Sequence, residues 1–214
     1  RCFVCRNFGI RYVRNTPQMT AASSIRASNA GNYDFHLALH SNAAPEGKYG
    51  TARGIIAFYA PNSTNGRRAA TLIADNLRSI YPLPEKVRAE PTTYLGEVTR
   101  TRAPAVLAEI GYHDNEQDAR WITSNLEEIA EKLALSMTEY FGLPLIPPQA
   151  PQTGIVSTST GNLNIRSKPD ILSTVIGSAP NGAVLTVLGQ QKNWYTVNYN
   201  GTVGFSSADY IRLV

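Results

Sequence analysis

Apolar residues follow two different periods along this chain. Between residues 67 and 81 they fall at Ala70, Ile73, Leu77, Ile80 and Tyr81, one face of a 3.6-residue repeat, until Pro82 and Pro84 stop the run. That spacing predicts a helix packed on a sheet. A second helix is predicted where Leu126, Ile129, Leu133 and Met137 form one stripe, with Ser124 and Glu127 at capping-box spacing and Gly142 and Pro144 closing the segment. Strand-like apolar runs occupy residues 33–40, 54–59 and 105–110, and a shorter one, 9–13, comes almost at the start. Strand and helix alternation of this kind predicts an α/β fold, a mostly parallel sheet with flanking helices.

Residues 143–153 read LPLIPPQAPQT, without charge and without either period, which describes a semi-rigid spacer. Beyond it the pattern changes. Short alternating runs at 183–188 and 194–199, with Asn181-Gly182 and Asn200-Gly201 at the turns, predict a small all-β antiparallel barrel. The expected layout is an α/β domain over 1–142, a proline-rich linker over 143–153 and a small β domain over 154–214.

A length of 214 residues suits one medium and one small domain, and the 43% hydrophobic and 17% charged shares are ordinary for a globular protein. No stretch approaches the roughly 18 apolar residues of a bilayer span, so no membrane span is expected. The net charge of +4 comes from scattered Lys and Arg, which argues against nucleic acid as a partner and would suit another anionic polymer only weakly. A monomer is expected. Cys2 and Cys5 form a lone C-x-x-C; one pair cannot fill an all-cysteine zinc site and no thioredoxin-like unit follows, so both are read as incidental. The chain opens on Arg1 without a basic-then-apolar leader, as the interior of a longer gene product would.

Two residues stand out chemically. His40 ends an apolar strand, where α/β enzymes place their sites, and could be a metal ligand or a hydrogen-bonded surface group. Four strand positions separate it from His36, about 13 Å at 3.3 Å per residue, too far for one ion, so His36 is expected to be structural. Glu109 lies in an otherwise apolar strand. Burying an unpaired carboxylate costs several kcal/mol, so it needs a metal, a cation or a reacting water; an ion pair with Arg100 or Arg102 is the plainer alternative.

The stretch YDFHLALHSNAAPEG closely resembles the metal-binding block of the zinc-dependent N-acetylmuramoyl-L-alanine amidases of type 3, and PAVLAEIGYHDN resembles the block that carries their catalytic glutamate. The resemblance covers about residues 9–143. It implies that His40 is a ligand of Zn2+ and Glu109 the catalytic acid/base. The implied reaction is cleavage of the amide between N-acetylmuramic acid and L-alanine in peptidoglycan, with water acidified on zinc giving its proton to Glu109. Family members also supply a histidine and a glutamate ligand upstream that have no counterpart here. The α/β domain is therefore expected to be N-terminally truncated, and this stretch of chain to be inactive by itself. His113 falls at a position that is not a ligand in the family, and Asn42 is expected to hold the turn after the strand.

In the second domain LNIRSKP, VIGSAPNGAVLTVLG and NWYTVNYNGTVGF resemble the bacterial SH3 domain, which implies attachment to the cell wall and a secreted or wall-associated protein. Trp194 and Tyr210 are the candidate wall contacts, with filling of the small barrel as the alternative. A metal-free, non-catalytic wall-binding or regulatory protein on the same fold is the rival to the enzyme. A zinc peptidase would need an H-E-x-x-H or related pair, and none is present.

Overall fold

The structure, a computed structural model, describes residues 10–143 and 150–214. Cys2, Cys5, Gly9 and linker residues 144–149 lie outside the described residues. Two compact units are found, Arg14–Tyr140 and a second that holds Phe141–Val214.

The first unit runs α1 (Ala21–Ala30), β1 (His36–Asn42), β2 (Ile55–Tyr59), α2 (Thr64–Arg78), β3 (Val87–Pro91), a short α3 (Gly96–Thr99), β4 (Ala105–Tyr112), α4 (Glu116–Ser124) and α5 (Leu126–Phe141). Its sheet has the order β1-β4-β2-β3. β1 with β4 and β2 with β3 are parallel, as expected of the fold class, whereas β4 and β2 run antiparallel. The carboxyl ends of β1 and β4 therefore share one edge, and those of β2 and β3 lie at the opposite edge.

Period-two alternation gives the sheet two faces. On one, Ala38, Ile56, Phe58, Ala105 and Leu107 form a core with Val98 of α3. On the other, Ile55, Ala57, Val106 and Ala108 are buried, as are Ala70, Ile73 and Leu77 on the sheet-facing side of α2. α5 lies along α2, tied to it by Asn76 Nδ2 donating to Ser136 Oγ (3.1 Å) and by the Arg68 guanidinium stacked 4.4 Å from the Tyr140 ring centre.

Several local expectations are corrected. Ser124 does not cap the last helix; it ends α4, whose start is capped by Asn115 accepting from the Gln117 and Asp118 amides. Leu126 is 61% exposed, so the buried stripe of α5 begins at Ile129. Residues 10–13 form no strand. α1 buries none of its residues and so leaves no apolar period to read; reciprocal bonds between Thr20 and Ser23 start it.

The second unit is all-β: β5 (Gln152–Val156), β6 (Leu163–Arg166), β7 (Val175–Ala179), β8 (Val184–Gln191), β9 (Trp194–Tyr199), β10 (Thr202–Ser207) and β11 (Ile211–Leu213), in the order β11-β5-β8-β9-β10-β6-β7 with antiparallel pairings. Val156, Leu163, Ile165, Leu185, Val187 and Val197 form its core. Asn200 and Gly201 both take positive φ (49° and 84°), as the two-residue turn between β9 and β10 demands. β5 begins at Gln152, so the end of the stretch read as linker is strand.

Candidate functional site

Parallel pairing of β1 and β4 sets His40 directly opposite Glu109. Both residues continue the face that carries Ala38 and Leu107, and both stand near the shared carboxyl edge. α3 lies on that face and brings in a third group. Glu97, only 8% exposed, places Oε2 2.9 Å from His40 Nε2. Its Oε1 is 3.8 Å from His36 Nε2, too long for a hydrogen bond. His36 lies in the sheet, and although it is too distant along the strand to act with His40 directly, the two imidazoles flank one carboxylate. Burial pushes the His36 imidazole below its ordinary pKa, and the Glu97 carboxylate pulls it partly back.

Among the described residues, two buried side-chain atoms here lack a hydrogen-bond partner, His36 Nε2 and Glu109 Oε2. Burial raises the Glu109 carboxyl above its ordinary range, with His40 and His113 acting in the opposite sense. The alternative ion pairs do not form among the described residues. Arg100 offers its carbonyl to Asn29 Nδ2 (2.8 Å), and Arg102 donates to Asn29 through its amide (2.8 Å) and its guanidinium (3.2 Å). These bonds fasten the segment after α3 to α1, and Thr101 Oγ1 donates to the Glu97 carbonyl.

Around the edge the loops are pinned. Asn42 Oδ1 accepts from the Ala43 amide and its carbonyl accepts from the His113 amide, the turn role expected for it. Asp114 accepts from the Ala44 and Gly50 amides, and Asn115 Nδ2 donates to the Gly50 carbonyl. His113 Nδ1 stands 3.0 Å from Ser41 Oγ. Asp118, fully buried, accepts from Arg53 Nε (2.8 Å), the Tyr81 hydroxyl (2.5 Å) and the Gly54 and Tyr112 amides. Burial and this carboxylate push the Tyr81 hydroxyl well above its ordinary pKa. An open groove of about 320 Å³ runs past Leu39, His40, Ile110, Ile122 and Leu126.

A catalytic zinc takes three protein ligands. His40 is one candidate, but its Nε2 is engaged by Glu97, and among the described residues no three His, Cys, Asp or Glu side chains gather around a possible ion. These residues alone do not complete a zinc site.

Glu97 was not singled out in the sequence. It lies 57 positions from His40, in a helix too short to show a period, and its only signal is a lone carboxylate before a buried valine. In the second unit Trp194 is half-buried in β9 and Tyr210 is 47% exposed.

Comparison with known proteins adds family to this geometry. Residues 5–139 match the N-acetylmuramoyl-L-alanine amidase family, and residues 161–212 match the bacterial SH3 domain. No curated protein matches the chain. Similar solved structures include Cwp6 from Clostridium difficile (18% identity, 65% of this chain and 24% of that one, TM-score 0.55). The CwlD amidase from Clostridioides difficile in complex with the GerS lipoprotein is also similar (18% identity, 56% and 61%, TM-score 0.51), as is the catalytic domain of the CD27L endolysin targeting Clostridia difficile (26% identity, 56% and 62%, TM-score 0.48). The first two share the fold. This chain spans less than two thirds of each of the three.

Proposed function

Because residues 5–139 place this chain in the N-acetylmuramoyl-L-alanine amidase family, we propose that it is a peptidoglycan hydrolase cleaving the amide between N-acetylmuramic acid and the L-alanine of the stem peptide. One observation carries the assignment of its chemistry: the buried, unpartnered Oε2 of Glu109, on a strand position paired with His40 at a sheet edge. A buried carboxylate oxygen without a donor in an otherwise apolar strand is costly and calls for a task such as this one.

Glu109 takes a proton from the attacking water as the water oxygen bonds to the amide carbonyl carbon. It returns that proton to the alanine nitrogen as the carbon–nitrogen bond breaks, leaving a carboxyl on the muramic acid lactyl group and a free amine on the peptide. Its raised proton affinity suits both halves of that exchange. Zinc dependence belongs to the proposal through the family, with His40 as a ligand; the described residues do not complete that site, and the chemistry assigned to them is that of Glu109. The bacterial SH3 domain holds the protein on the wall and raises the local concentration of substrate, with Trp194 and Tyr210 as contacts. Action at the wall implies a secreted or wall-associated protein; a monomer is part of the proposal.

Mass analysis of peptidoglycan digested by a form of the protein that also carries an upstream histidine and glutamate ligand tests the reaction. Intact glycan strands and free stem peptides beginning at L-alanine are expected. Wall binding with no released peptide, in the presence of zinc, would instead support the non-catalytic wall-binding protein.

A further inference from the structure

We infer that Glu97 is a positioning residue for His40: it accepts the Nε2–H of that imidazole and leaves Nδ1 as the nitrogen that a ligand or substrate group meets. The inference rests on the reading of His40 as a site residue.

The chemistry of the pair fixes the direction of the bond. A carboxylate has no proton to give, so the 2.9 Å contact assigns the proton to Nε2. Glu97 is buried, and a hydrogen-bond donor offsets the hydration its carboxylate has lost. Its second oxygen gains no hydrogen bond from His36 at 3.8 Å, so its strong acceptor bond is committed to His40. Nothing among the described residues bonds to His40 Nδ1.

The support behind Glu97 is more than a four-residue helix would have by itself. Val98 anchors α3 in the core, Thr101 Oγ1 bonds the Glu97 carbonyl, and Asn29 of α1 grips both Arg100 and Arg102. A line of contacts from α1 to the imidazole thus holds the ring. An imidazole whose outer nitrogen donates to a carboxylate presents its other nitrogen in one tautomer and one orientation, the arrangement that tunes histidines at ligand sites.

Proton and nitrogen NMR of the imidazoles in the full chain tests this without reference to activity. At a pH where the rings are neutral, His40 is expected to show an observable Nε2–H whose exchange with water is slowed about tenfold or more, as a bond worth ~1.4 kcal/mol would slow it. Glu97→Ala removes that protection while the amide signals of β1 and β4 persist; Glu97→Gln keeps the Nε2–H but shifts it upfield, and His36→Ala leaves it in place. A proton on Nδ1 in the wild type, or no protected Nε2–H there, overturns the inference even if the alanine variant does not fold. Protection that survives Glu97→Ala overturns it as well. Each result is independent of whether peptidoglycan is cleaved.

Discussion

Glu109 stands directly opposite His40 across two parallel strands, yet its Oε2 is buried without a hydrogen-bond partner among the described residues. The protein thus keeps a half-buried carboxyl at a sheet edge, at a cost to its own stability. Because burial raises the folded pKa, the carboxyl is more at ease protonated in the native state than in the unfolded chain. Its penalty is absent below the ordinary carboxyl range and grows as pH rises through the folded pKa. Glu109→Gln is therefore expected to raise the melting temperature at pH 7 and to change it much less at pH 4. Equal or lower melting at pH 7 would show that Glu109 is satisfied in a way the geometry does not reveal.

Asp118 is the structural counterpart, buried but bonded to four donors. Asp118→Ala strands the Arg53 guanidinium and the Tyr81 hydroxyl and is expected to cost about 3–5 kcal/mol in denaturant unfolding of the first unit. Tyr81→Phe removes one donor of the four and should cost only about 1–2 kcal/mol. Similar losses for the two variants would mean that Asp118 is not the hub.

In the second unit a Cβ on Gly204 would lie 2.6 Å from the Arg166 carbonyl oxygen and 2.7 Å from Ile165 Cγ2, where β10 passes β6. Gly204→Ala is expected to destabilise that unit by about 1–3 kcal/mol, the usual cost of overpacking. Circular dichroism of the isolated 150–214 segment would be ambiguous, so the measurement is hydrogen exchange on the full chain. Amides of the β unit should lose protection while β1 and β4 keep theirs.

Tyr210 is exposed and Trp194 only partly so. If Tyr210 contacts the wall, Tyr210→Ala should weaken cosedimentation with purified walls about tenfold, a loss of ~1.4 kcal/mol, without lowering stability. Unchanged binding would move the contact elsewhere on the β unit.

The fold and half of the site were legible in the chain because they are written in local patterns. Ile73 and Leu77 announce α2 by their period, and His40 and Glu109 are anomalies inside apolar runs. What escaped has no local signature. The antiparallel join of β4 to β2 depends on how three separated segments pair, and apolar alternation reads the same in either direction. β3, with exposed Arg88 among its five residues, and α1, with no buried face, lacked the periods that betray buried elements. Glu97 reaches His40 only because α3, braced by α1, is folded onto the sheet face that carries His40, a relation created by tertiary structure alone.

The most direct measurement is the release of new alanine amino termini from purified peptidoglycan by a form of the protein that also carries an upstream histidine and glutamate ligand, supplied with zinc, beside the same form with Glu109→Gln. The wild type is expected to release them, and the variant to lose about 10²–10⁴-fold in rate while still binding walls and staying folded, the range that removal of a general acid/base gives. A Glu109→Gln protein that cleaves at the wild-type rate would contradict the role assigned to Glu109.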